Sequence, residues 1–378
     1  MIGLFLSARG AMLPNLADQV GVGLGQIGII ITASSVGFTT ANLLLGHFYD
    51  RIKGHHMLFI GLLMIGIITA IMPSANNLLW LVILFVFTGL SRGVIILGTN
   101  TMPLWIYGNK SAPVMNALQG FFGAGSIIGP WFVGQLLALS GSTQWVFWAS
   151  AIGYLLLLPA TLLIPSPTIR KAPVSNPNSV AAHTINENYQ IIFLMALFLV
   201  FYVGAEVSFG SWVTTYAKTQ LPIDLSQRAY QLASAFWFMM MTGRFLSVLL
   251  TRFIGTEKFL GLNLIGMNIS MIVILLANGN WPVLFAGTLL LGLSMASIFP
   301  LVFALAEQVM DVTGRISSLL FVGASLGSII FPFVIGRLIE FVSPLSAMIA
   351  LGLMSITAII IFGFLYLSIR RNKTKHQG

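Results

Sequence analysis

Four segments of this chain return in the same order, at spacings of 200 to 203 residues. Asp50-Arg-Ile-Lys-Gly54 is answered by Thr251-Arg-Phe-Ile-Gly255, and Phe59-Ile-Gly-Leu-Leu-Met-Ile-Gly66 by Phe259-Leu-Gly-Leu-Asn-Leu-Ile-Gly266. Gly89-Leu-Ser91 comes back as Gly292-Leu-Ser294, and Gly125-Ser-Ile-Ile-Gly-Pro130 as Gly327-Ser-Ile-Ile-Phe-Pro332. Matches that keep both order and register mean two copies of one unit, so whatever the first half folds into, the second half repeats.

Composition identifies the solvent of that unit. Charged residues make up 7% of the chain, against about 25% in a soluble domain. Hydrophobic residues make up 57% and the mean hydropathy is +0.95. Runs long enough to cross a bilayer, roughly 20 apolar residues each, centre near Ile31, Gly66, Val86, Gly125 and Ser150. In the second half they centre near Ala196, Met239, Ser270, Leu291, Gly327 and Met354. A twelfth run, Met1 to Leu13, is too short to cross. The repeat would start its helix upstream of Met1, so the first helix is expected to be incomplete at the N-terminus. The expected fold is all-α and polytopic, with two pseudo-symmetric six-helix bundles. Residues 1–164 form the first bundle, 165–189 a linker rich in Pro, Ser and Asn, 190–369 the second bundle, and 370–378 a basic tail.

The net charge of +9 follows from topology. Twelve of the eighteen Lys and Arg residues fall in hinges near Arg51, Lys110, Arg252 and Arg315, in the linker and in the tail, all on one side of successive spans. The opposite loops hold only Lys218 and Arg228. That asymmetry places the hinges and the C-terminus in the cytoplasm, with the lipid bilayer as partner and no nucleic acid. The absence of cysteine removes disulfides, thiolate metal sites and cysteine nucleophiles.

Several apparent motifs dissolve in this setting. Gly23-Leu-Gly-Gln-Ile-Gly28 fits a dinucleotide fingerprint, but no strand precedes it and it reads as the start of a helix. Gly323-Ala-Ser-Leu-Gly327 fits a nucleophile elbow, yet Ser325 falls inside an apolar span whose small residues suit helix packing. The five histidines lie in loops, linker and tail without metal-ligand spacing. No metal, cofactor or catalytic residue is expected, and polar side chains in the spans are too sparse for an enzyme.

The informative residues are the ionisable ones inside spans. Each costs about 2.5–3.5 kcal/mol at mid-bilayer on insertion scales, so it faces a cavity or a partner. Four stand out: Arg9, Arg92, Glu206 and Arg244. Glu206 is the sole carboxylate deep in a span, placed to take up or release a proton. Arg9 falls in the helix related to that of Glu206 by the repeat, at a comparable depth, which makes these two the expected coupling pair. Arg244 lies toward a cytoplasmic end, where a structural clamp and a substrate ligand are both open.

The hinge Gly46-His-Phe-Tyr-Asp-Arg51 resembles the cytoplasmic Gly-x-x-x-Asp-Arg-x-Gly signature of the major facilitator superfamily, with the last glycine shifted to Gly54. The resemblance implies a gate: Asp50 beside Arg51 ties bundle ends together and releases them when the gate opens, with Arg244 in the same gating set. A narrower likeness runs through Tyr202-Val-Gly-Ala-Glu-Val-Ser-Phe-Gly-Ser-Trp212, Tyr216, Ser234-Ala-Phe-Trp237 and Gly243-Arg244. With Ala296-Ser-Ile-Phe-Pro300, Thr313-Gly-Arg315, Asn100, Trp105 and Met115-Asn-Ala-Leu118, these resemble the branch of fucose–proton symporters and sodium-dependent glucose transporters. Two positions depart from that branch. Ile96 stands where it carries an acid, and Gln119 where it commonly has a histidine.

What the resemblance implies is a secondary transporter in the inner membrane, moving a small polar solute such as a sugar by alternating access. Arg92, Asn100, Gln119, Trp212, Tyr216 and Trp237 are the residue types to bind such a solute. With no ATP-binding motif, coupling is to a proton or sodium gradient, or is absent. A monomer is expected. Two other readings stay open: a proton-driven drug or metabolite exporter, favoured by Gly125-Ser-Ile-Ile-Gly-Pro130, and a carrier-like membrane sensor that no longer transports.

Overall fold

The computed structural model describes residues 1–49, 53–107, 112–166, 189–251, 253–310 and 314–375. Asp50 and Arg51 of the expected gate lie outside these residues, as does the linker from 167 to 188. The chain divides into two compact units, Met1–Pro177 and Asn178–Gly378. Among the described residues all regular structure is helical.

The first unit contains α1 (Ile2–Val20), α2 (Leu24–Ile27), α3 (Ile29–Tyr49), α4 (Gly54–Ile71), α5 (Leu78–Tyr107), α6 (Ala112–Ser140), α7 (Gln144–Leu155) and α8 (Leu158–Leu163). The second contains α9 (Tyr189–Gln220), α10 (Ala229–Leu250), α11 (Thr256–Leu276), α12 (Trp281–Met295), α13 (Ile298–Val309), α14 (Gly314–Phe341) and α15 (Pro344–Lys375). Among the described residues eleven segments are long and apolar enough to cross a membrane, and each of the eleven full-length apolar runs read from the sequence falls in one of them. Leu139, Leu163 and Leu276, all within spans, stand largely exposed, as a surface solvated by hydrocarbon requires.

The repeat is carried into packing. In the first unit α1 packs on α6, α3 on α5, and α4 on α5 and α7. In the second unit α9 packs on α14, α10 on α12, and α11 on α12 and α15. Two glycine pairs show why the sequence keeps the matching segments. A Cβ on Gly125 would meet the Leu4 amide nitrogen at 2.9 Å, and a Cβ on Gly327 would meet the Gly204 amide nitrogen at 2.9 Å. Leu4 and Gly204 are themselves 200 residues apart. Gly89 lies against the Ser34 carbonyl and Gly292 against the Phe236 carbonyl in the same fashion. Close helix approach on small residues is how helices associate where no hydrophobic effect drives them together.

Helix α1 continues beyond the apolar run that ends at Leu13. It passes through Pro14 and reaches Val20, about 28 Å at 1.5 Å per residue. It closes on Gly21 in the left-handed region at φ 68°, with the Gly21 and Val22 amides donating to the Asp18 and Ala17 carbonyls. At the other end of the chain, α15 carries the basic residues of the tail as far as Lys375. Arg370 lies over the Tyr366 ring there, 4.7 Å from its centroid. Ser325 lies inside α14, and Gly23 starts α2 from extended backbone, so neither glycine motif has the context its chemistry needs.

Candidate functional site

One polar site in the second unit is built around a break in a span. The apolar segment Trp281–Val309 is interrupted at Ala296 and Ser297, between α12 and α13. Pro300 explains the break. Its nitrogen carries no hydrogen for the Ala296 carbonyl four residues back, and its ring crowds that oxygen. The freed Ala296 carbonyl accepts from Arg244 Nε at 3.3 Å. The adjacent Met295 carbonyl accepts from the Tyr202 hydroxyl at 2.8 Å. Asn263 donates to Ser297 Oγ at 2.8 Å, fixing the unwound turn from α11.

Glu206 joins this cluster from α9. Its Oε1 lies 4.0 Å from an Arg244 guanidinium nitrogen, with 14% of the Glu206 side chain exposed against 39% of the Arg244 side chain. Tyr202 sits one turn earlier on the same helix, on the face that Glu206 shares. The pair is held loosely. At 4.0 Å the charges attract without a short hydrogen bond, so the carboxylate keeps capacity for another ligand.

Further toward the start of α10, Ser234 Oγ and Trp237 Nε1 are buried and have no hydrogen-bond partner among the described residues. They are three residues apart and so share a helix face. Trp237 rests over Gly210 of α9, where a Cβ would come within 3.1 Å of its ring. Trp212 differs. It is fully buried and its indole nitrogen donates to the Pro332 carbonyl of α14 at 2.8 Å. Tyr216, a turn further along α9, is also buried.

The first unit brings together two residues that the sequence placed in different roles. Arg9 of α1 and Arg92 of α5 line one small cavity with Leu6, Ser34, Thr88 and Tyr154. Asn100 lies about two turns past Arg92 on α5 and is half-buried, whereas Gln119 on α6 is exposed. Glu206 thus finds its ion-pair partner within its own unit, and Arg9 meets a second arginine in its own.

Sequence reasoning missed Tyr202 and the Met295 and Ala296 carbonyls as parts of the site. Pro300, inside an otherwise continuous apolar run, was the signal that could have found the carbonyls.

Comparison with known proteins agrees with this architecture. The family model described as Major Facilitator Superfamily matches residues 1–257 and 221–378. The zebrafish (Danio rerio) sodium-dependent glucose transporter 1 is 27% identical over 404 residues, covering 97% of this chain and 67% of that protein. The mouse (Mus musculus) sodium-dependent glucose transporter 1A is 26% identical, covering 89% of this chain and 87% of its own length. Among solved structures, a mutant of the nucleoside transporter NupG superposes with a TM-score of 0.79 at 12% identity, covering 96% of this chain and 97% of that one. A bacterial homologue of the human lysosomal transporter Spinster gives 0.75 at 13% identity, covering 97% and 95%. Matched from end to end and built as two repeated helical units, the chain belongs to the Major Facilitator Superfamily and is a multi-pass membrane transporter, not an enzyme.

Proposed function

We propose that the protein moves a small polar solute of the sugar class across the cytoplasmic membrane by alternating access, driven by a proton or sodium gradient, with its C-terminus in the cytoplasm. The observation that carries the reading is the Glu206–Arg244 pair at the α12/α13 break. It is an ionisable group inside a span, loosely paired, and two to three turns along α10 from Arg244 the Trp237 indole N–H and Ser234 hydroxyl have no hydrogen-bond partner among the described residues. Such groups are retained inside membranes where an ion or solute passes. Unwound carbonyls at a broken helix are a recurring place to hold a coupling cation. The names of the zebrafish and mouse relatives favour a sugar and sodium. Arg92, Asn100, Gln119 and Trp237 are proposed solute contacts, while Trp212, whose indole N–H is committed to Pro332, and the buried Tyr216 are proposed to act through packing. Asp50, Arg51 and Arg244 are proposed to gate, and Glu206 to couple, with Arg9 assisting it.

The test is uptake of radiolabelled glucose and a panel of other sugars by proteoliposomes, under an imposed sodium or proton gradient. Accumulation that collapses with one gradient supports the reading and names the ion. Gradient-driven efflux alone would favour an exporter. Absence of any gradient-linked movement for every sugar would overturn the sugar reading.

A further inference from the structure

We propose that the Arg9–Arg92 cavity of the first unit is a binding seat for a small anion. Both arginines lie inside spans and line the same cavity, Arg9 from α1 and Arg92 from α5. Arg9 is 4% exposed, and the Nε of each arginine is buried without a hydrogen-bond partner among the described residues. Among the described residues neither forms an ion pair. Residues 1–177 contain just two carboxylates in sequence, Asp18 and Asp50. Asp18 is exposed and nine residues from Arg9 on the same helix, about 13 Å along its axis. Asp50 follows α3 in sequence and is outside the described residues.

The second unit shows what is missing. There a spanning arginine meets a spanning carboxylate, Glu206. The helix packing that relates Leu4 to Gly204 relates Leu6 to Glu206, at the same spacing of 200. Leu6 lines the arginine cavity. The first unit therefore has two cations around the position where its twin carries the acid, and a leucine in the acid's place. Phe38 covers one face of the Arg92 guanidinium, 4.5 Å from the ring centroid, but a ring face carries no full charge. Two like charges in a low-dielectric setting repel each other and call for a counter-charge, which the described residues of this unit do not supply. The cavity volume, about 10 Å³, admits one water-sized group. A chloride ion or the carboxylate end of an organic solute is somewhat larger, and either would part the two guanidinium groups as it enters.

Thermal unfolding of the purified full chain tests this. The salts are sodium chloride, sodium acetate and the sodium salt of a bulky morpholine sulfonate, at equal ionic strength. Chloride or acetate should raise Tm by roughly 2–4 °C above the sulfonate salt once well past its Kd. A chloride response identifies a free ion, an acetate response a solute carboxylate, and both together a seat that reads charge and size. The shift should vanish in Arg9→Gln and in Arg92→Gln. Should either fail to fold, Leu6→Glu decides: it supplies the acid internally, so it should raise the baseline Tm and abolish the anion response. Equal Tm values in all three salts, or a response that survives these substitutions, would overturn the proposal. The measurement reads binding alone, so such a failure would leave the transport reading standing.

Discussion

Arg244 and Glu206 stand 4.0 Å apart on neighbouring helices, the arginine more than a third exposed and the acid mostly enclosed. An exposed partner gives little net stability, since water screens it, so the pair's value lies in what can replace it. Glu206→Gln keeps the shape and removes the charge. Accumulation of solute against its gradient should be abolished in proteoliposomes carrying this variant, while exchange of labelled for unlabelled solute persists. Continued accumulation would remove Glu206 from coupling.

Pro300 leads to a second prediction. Pro300→Ala restores an N–H that can close on the Ala296 carbonyl, joining α12 to α13 and withdrawing the acceptor that Arg244 Nε now uses. Thermal stability should stay level or rise while uptake slows. An uptake rate equal to wild type would show that the break is a packing accident.

The close helix approaches give a third. Gly89→Val and Gly292→Val both drive side-chain atoms into a carbonyl of the facing helix, Ser34 and Phe236 respectively. Each should cost about 1–3 kcal/mol by overpacking. Gly363→Ala is the control: nothing lies within 4 Å of the added Cβ, so helix propensity should favour it by about 0.5–1 kcal/mol. Unfolding midpoints in one detergent would rank the three.

The gate motif gives a fourth from sequence. If Asp50 ties the cytoplasmic ends together, Asp50→Asn should lower transport strongly while the amount of protein inserted, measured by surface labelling or fractionation, stays the same. Wild-type uptake in that variant would reduce the hinge to a topology signal.

The spans were legible because hydropathy and length fix them, and the repeat because glycines at helix contacts tolerate few substitutes. Partners were not legible. Glu206 and Arg244 are 38 residues apart on different helices, and no sequence periodicity links two elements across a packing interface. The repeat pointed from Glu206 to the helix of Arg9, yet the residue at its spacing of 200 is Leu6. The break at Ala296 was hidden for a related reason. The run from Trp281 to Val309 stays apolar throughout, so hydropathy counts one span where backbone chemistry makes two helices.

The two tryptophans of the second unit separate structural from binding roles. Trp212 commits its indole N–H to Pro332 and is fully buried, whereas Trp237 Nε1 is buried without a partner among the described residues. Trp212→Phe loses a hydrogen bond worth about 0.5–1.5 kcal/mol, so Tm should fall with KM little changed. Trp237→Phe loses no bond within the protein, so Tm should hold. If the unused donor serves the solute, KM should rise by roughly tenfold, the loss of about one hydrogen bond to a polar group. Paired measurements of Tm and uptake kinetics on both variants read the difference directly. A rise in KM confined to Trp212→Phe would reverse the assignment and place the solute against the α9–α14 contact.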